Sequence, residues 1–218
     1  MKKILLLILF TIPLTSLAQD SNLGNWLIYF GNKKIDSDFN LHHEVQYRNY
    51  NAIGDLEQLL LRTGIGYNLT ENNANLLLGY GFINSQNYID EDEKIGINEH
   101  RIYQQFISRH SLGIVKLQHR YRFEQRWIED TDMRLRFRYF LSINVPFTNE
   151  GISNNTWYLS VYNEIFINSE VQVFDRNRTY MGLGYKLSDF AKFEVGYMNQ
   201  FLNGGSRDQI NLITFLNF

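Results

Sequence analysis

The chain has no cysteine and only two prolines among its 218 residues. Without cysteine it can form no disulfide, and no lipid can be attached to a cysteine behind a cleaved leader. After the first twenty residues there is no apolar run of the ~18 residues that a membrane helix needs. Spacings for a metal site, a nucleotide loop and a nucleophile elbow are also missing, so no metal and no cofactor is expected. Positive charge is not in surplus: 21 Lys and Arg stand against 23 Asp and Glu, a formal charge of −2. A polybasic footprint for nucleic acid is therefore lacking.

The leader MKKILLLILFTIPLTSLAQD has what a secretory signal needs. Lys2 and Lys3 give the positive start, Ile4 to Leu14 an apolar core too short to span, and Ser16-Leu17-Ala18 a small-residue cleavage site. The expected division is a signal peptide at 1–18 and a single domain at 19–218. Loss of Lys2 and Lys3 moves the formal charge from −2 to −4.

Aromatic residues are abundant, with 14 Tyr, 16 Phe and 3 Trp, and the remaining chain alternates. The pattern is densest at Lys116–Tyr139, where KLQHRYRFEQRW and MRLRFRY flank the turn IEDTD. Lys116, Gln118, Arg120, Arg122, Glu124 and Arg126 share one face of the first run; Arg134, Arg136 and Arg138 share one face of the second. Leu135, Phe137 and Tyr139 lie opposite. Period two is strand geometry. An exported, aromatic-rich, proline-poor and alternating chain fits an outer-membrane barrel with apolar side chains facing lipid and charges facing the lumen.

About ten such segments run from Phe39 onward, an even number being usual for single-chain bacterial barrels. Twelve is the alternative count. Leu23–Phe30 is left as an odd strand with Trp26 and Tyr29 as interface anchors. Asn84–Asn98 reads as a long, polar, extracellular connection. The chain ends in Ile210, Leu212, Thr214, Leu216 and Phe218. An aromatic end after alternating residues resembles the signal read by the barrel-assembly machinery, so Phe218 is the expected assembly signal.

Charges inside a narrow barrel need partners. A tight turn at His110–Ser111 sets Glu99 opposite Arg122 and Arg101 opposite Arg120. A loop centred near Asp130 sets Glu124 opposite Arg136 and Arg126 opposite Arg134. Glu44, Glu164 and Glu194 are the remote partners, and Arg62 and Arg178 complete the network. Inward Gly64, Gly66, Gly79, Gly81, Gly182, Gly184 and Gly196 leave room for guanidinium groups. Catalysis has thin support. His100 and His119 face outward as diagonal neighbours, no serine is expected within reach in their row, and His42 and His43 point to opposite faces.

EHRIYQQ at Glu99–Gln105, HRYRFEQRW at His119–Trp127, RLRFRY at Arg134–Tyr139 and NRTYMGLGY at Asn177–Tyr185 together resemble an uncharacterised family of bacterial outer-membrane barrels, a domain of unknown function. The resemblance covers nearly the whole mature chain. It implies a barrel and no assigned activity, so no catalytic residue is carried over.

The sequence thus predicts an all-β, antiparallel, up-and-down transmembrane barrel in the outer membrane of a Gram-negative bacterium. Its partners are outer-membrane lipid, the assembly machinery during insertion, and a small anionic ligand. The predicted role is structural or that of a narrow pore, with an Arg/Glu-rich lumen that admits or binds a small anion. A lipid-modifying enzyme and a soluble periplasmic β-sandwich are the alternatives.

Overall fold

A computed structural model describes residues 23–70, 73–170 and 172–218; the signal segment expected at 1–18 lies outside them. The described residues form strands and turns. In chain order the strands are β1 (Leu23–Lys34), β2 (Phe39–Asn49), β3 (Leu56–Thr70), β4 (Ala74–Tyr88), β5 (Lys94–Leu112), β6 (Val115–Ile128), β7 (Arg134–Pro146), β8 (Thr156–Asn168), β9 (Phe174–Lys186), β10 (Ala191–Leu202) and β11 (Gly205–Asn217). Each pairs with its sequence neighbour, and β1 pairs with β11 to close a barrel, not a two-sheet sandwich.

The all-β barrel is as expected, and among the described residues it has eleven strands, the about ten counted from Phe39 onward and one more. The odd strand at Leu23–Phe30 is β1, and it closes the ring. With an odd number, first and last strands run the same way, so β1 and β11 pair in parallel from Leu23↔Asp208 to Asn32↔Asn217. Consecutive strands pair antiparallel, as in β1 with β2. Trp26 points inward and is 2% exposed, so it is no interface anchor. Trp26 and Tyr29 are three residues apart, and strand alternation puts them on opposite faces. Inside the seam, Trp26 and Ile28 pack with Tyr180, Met198 and Ile213. β1 is thus apolar on both faces. It reads as a continuous run, as strands with two apolar environments do.

Across the rest of the wall the alternation resolves as apolar outside and polar inside. Leu61, Ile65, Leu78, Phe123, Phe137, Val195 and Leu212 are exposed, whereas Arg136 and Arg138 beside Phe137 are buried. Aromatic pairs ring the C-terminal end: Phe39 with Tyr67, Trp157 with Tyr185, and Phe190 with Phe218. At the other end stand Trp127 and the pair Phe174–Phe201.

Two connections differ from expectation. Asn84–Asn98 is mostly strand, because β4 and β5 extend as a hairpin and leave only 89–93 between them. Their register runs out to Tyr88↔Lys94. The β5–β6 turn is not at His110–Ser111 but at Gly113, whose φ of 59° places it in the left-handed region. Glycine first in a two-residue turn suits the twist of a hairpin. Glu99 consequently faces Ile128, and Arg101 faces Arg126. The slip is an even number of residues, so the faces survive while the partners change.

Candidate functional site

Strand register decides which charges meet. β6 and β7 pair as the sequence suggests, Glu124 with Arg136 and Arg126 with Arg134. Glu124 is wholly buried. Its Oε2 accepts from Arg136 Nε at 3.0 Å and Nη2 at 2.7 Å, and its Oε1 accepts from Arg138 Nη1 at 2.7 Å. Arg138 turns its Nε and Nη2 to Glu164 at 3.0 and 2.7 Å. Arg120 joins Glu164 at 2.7 Å, and Arg136 reaches Asp175 at 3.0 Å. The result is an alternating chain, Asp175–Arg136–Glu124–Arg138–Glu164–Arg120. Like charges directly across strands repel, and here a carboxylate lies between the guanidinium groups.

Other ion pairs complete the interior. Glu99 takes Arg101 Nε at 2.6 Å and Nη2 at 2.7 Å, with Arg126 Nη2 at 3.1 Å. Glu44 holds Arg62. Arg122 donates to Gln105 at 2.9 Å and lies over the Tyr103 ring. Two residues of the expected network stand elsewhere. Arg134, the first residue of β7, is on the rim, where it pairs with Glu170 at 3.1 Å. Glu194 meets no arginine among the described residues: Tyr158 donates to it at 2.8 Å, and Lys192 is 3.7 Å away.

The inward glycines make room chiefly for rings rather than guanidinium groups. A Cβ on Gly79 would meet Tyr103, one on Gly182 or Gly196 would meet Tyr180, and one on Gly184 would meet Tyr158. Only at Gly81 is an arginine, Arg62, the nearest neighbour. Gly64 lies against Leu77 and Gly66 against Asn40. Tyr103, Tyr158, Tyr180, Phe166 and Met198, all buried, fill the middle of the barrel. Eight strands enclose about what side chains can fill; an eleven-strand lumen needs these large rings and long arginines.

Above this plug, at the end opposite Phe218, lies a cavity of about 200 Å³. Its wall holds eight arginines, Arg48, Arg62, Arg101, Arg126, Arg136, Arg138, Arg176 and Arg178, and a single carboxylate, Glu99. Phe166 belongs to it too, with the guanidinium carbons of Arg138, Arg178, Arg136 and Arg176 at 4.4, 4.6, 5.3 and 5.9 Å from its ring centre. Trp26 takes Arg48 at 3.7 Å and Arg178 at 4.8 Å. Arg48, Arg176, Asp175, Phe166 and Trp26 are cup or network residues that sequence reasoning missed. The signal existed for Arg48 and Arg176, which fall in the inward rows of Glu44 and Arg178.

The outward histidines separate. His100 bonds Tyr80 at 2.6 Å and faces Trp127 across the strands. His119 stacks on His110 at 5.1 Å and bonds Tyr139 through Nδ1 at 2.8 Å. Contrary to expectation, a serine shares this row: Ser108 is the register partner of His119. His119 Nδ1 is nevertheless turned to Tyr139. Among the described residues no cluster of three or more His, Asp or Glu is placed to hold a metal.

An uncharacterized protein of Methylorubrum extorquens is 29% identical over 167 residues, which cover 72% of this chain and 69% of that protein. No solved structure matches. Residues 23–211 match the family described as "Protein of unknown function (DUF2490)". That span runs from the start of β1 into β11, and the chain belongs to this family.

Proposed function

We propose that the protein is an outer-membrane barrel, sealed across its middle, whose arginine-lined cup binds a small anionic solute without conducting it. The observation that carries the membrane reading is the inversion of the wall: Leu78 is 60% exposed and Phe137 40%, while Glu124 is 0% exposed. In water such a surface would be an aggregation hazard, since soluble monomers rarely expose contiguous apolar patches above a few hundred Å². In a bilayer it is the lipid-facing band, with aromatic side chains at the two interfaces. The orientation follows from Phe218, read as the periplasmic end and the residue handed to the assembly machinery. The cup then opens toward the cell exterior. The rings at Tyr103, Tyr158 and Tyr180 argue against passage.

The test is fractionation with heat-modifiable gel mobility, followed by planar-bilayer recording. Recovery with the outer membrane, a mobility shift on boiling and no unitary conductance are expected. A protein that stays soluble without detergent removes the membrane reading, and stable anion-selective steps remove the plug. The lipid-modifying alternative has only the Ser108–His119 row in its favour. A changed lipid profile in cells expressing the protein, abolished by Ser108→Ala, would establish it.

A further inference from the structure

The cup's charge and shape go further than "anionic". From its geometry we infer a binding site for a compact phosphate-type oxyanion carrying two or more negative charges, centred on Arg48, Arg62 and Arg178. This rests on the reading of the cup as an anion site. Three observations support it. First, Arg48 has no ion pair among the described residues; its partners are the neutral side chains of Gln46 and Gln58. Second, Arg62 is buried, yet its Nε has no hydrogen-bond partner. Third, the nearest carboxylate oxygen to Arg178 is at 4.0 Å, and its Nε donates instead to Gln200 at 2.8 Å. A buried donor left without an acceptor, as at Arg62 Nε, is costly, and a buried guanidinium facing only neutral partners, as at Arg48, is costly too; an oxyanion in the cup would supply both acceptors and charge.

The geometry separates phosphate from carboxylate. A carboxylate is planar, so even where two guanidinium groups share it, as at Glu124, its acceptor sites all lie in one plane. The cup's arginines come from β2, β3, β5, β6, β7 and β9, and so approach from around the ring. A tetrahedral anion, with oxygens pointing in several directions, can accept from such an arrangement. Arg48 and Arg178 already share the Trp26 ring, which holds two positive charges together without a counter-ion between them. A cavity of about 200 Å³ is larger than the engineered benzene-binding cavity of about 150 Å³. It has room for a diphosphate or a small phosphorylated group.

The experiment measures binding of inorganic pyrophosphate to the full mature chain in detergent by calorimetry, with succinate as the dicarboxylate control. Saturable 1:1 binding of pyrophosphate is expected, weakened by salt and at least tenfold tighter than succinate. Arg48→Gln strands no carboxylate, so it should keep the heat-modifiable mobility and weaken pyrophosphate about tenfold or more. Arg134→Gln, on the rim outside the cup, should bind as the parent does. Equal or tighter binding of succinate overturns the phosphate class and leaves the anion cup standing. Binding of neither probe overturns both. Binding unchanged by Arg48→Gln removes the site from the cup. A second arm uses phosphatidylglycerol nanodiscs: competition with pyrophosphate there identifies a lipid-borne phosphate as the occupant, and no competition identifies a free one.

Discussion

Glu124 sits between Arg136 and Arg138, wholly out of water, with both oxygens accepting from guanidinium groups. Removing one partner of a buried ion pair costs about 3–5 kcal/mol, because the other charge stays buried without compensation. Glu124→Gln would leave Arg136 only Asp175 and Arg138 only Glu164, so one negative charge is lost from a buried chain that needs it. The substitution should lower stability by that amount, read as a fall in the temperature at which the heat-modifiable band converts. Arg134→Gln, at an exposed pair, should change it by less than about 1 kcal/mol. Gly196 gives a steric counterpart. A Cβ there would lie 2.5 Å from Met181 O and Gly182 Cα, which are backbone atoms that cannot swing aside. Gly196→Ala should therefore cost about 1–3 kcal/mol as overpacking, measured by the same band conversion.

At the scale of the element, β1 behaves unlike the others. Its inner row is Trp26, Ile28 and Phe30, packed on the apolar side of the lumen, while the opposite wall is charged. Parallel pairing is slightly weaker per residue than antiparallel, so the side-chain cluster contributes strongly to the seam. Ile28→Glu would place an unpaired carboxylate among Trp26, Tyr180, Met198 and Ile213. A loss of ~3 kcal/mol or more is expected, seen as a larger fraction of open, unfolded band in urea titration; Ile28→Val should cost only about 1 kcal/mol. The antiparallel strands were legible because their two faces differ, as in Arg134–Tyr139. β1 was legible as a segment but not as a closing strand, because apolar residues on both faces erase the alternation. The β5–β6 turn falls beyond the polar pair His110–Ser111 for another reason: the hairpin needs a left-handed residue, and Gly113 supplies it.

At the scale of the whole barrel, eleven strands put the start of β1 and the end of β11 at opposite mouths. Leu23 begins at the cup end, paired with Asp208, and Asn217 finishes at the other, next to Asn32. Even-stranded barrels bring both termini to one side. If Phe218 is periplasmic, an epitope inserted just before Leu23 should be labelled on intact cells, whereas one appended after Phe218 should be labelled only after permeabilisation. Labelling of both from one side would mean that β1 does not close the ring in the membrane.

Outside β1, the order of residues alone determined which side chains face the interior, because period two is a local property and survives an even slip in register. It also determined that arginine and glutamate would share that interior. Tertiary structure alone decided which of them meet, since partners depend on where Gly113 turns the chain and on how distant strands curve round. It alone decided that Tyr103, Tyr158 and Tyr180 occupy the space above the glycines, because a ring crossing to a neighbouring strand leaves no mark in the spacing of either. And it alone gathered eight arginines from six strands around one cavity, which is a consequence of ring closure and not of any stretch of sequence.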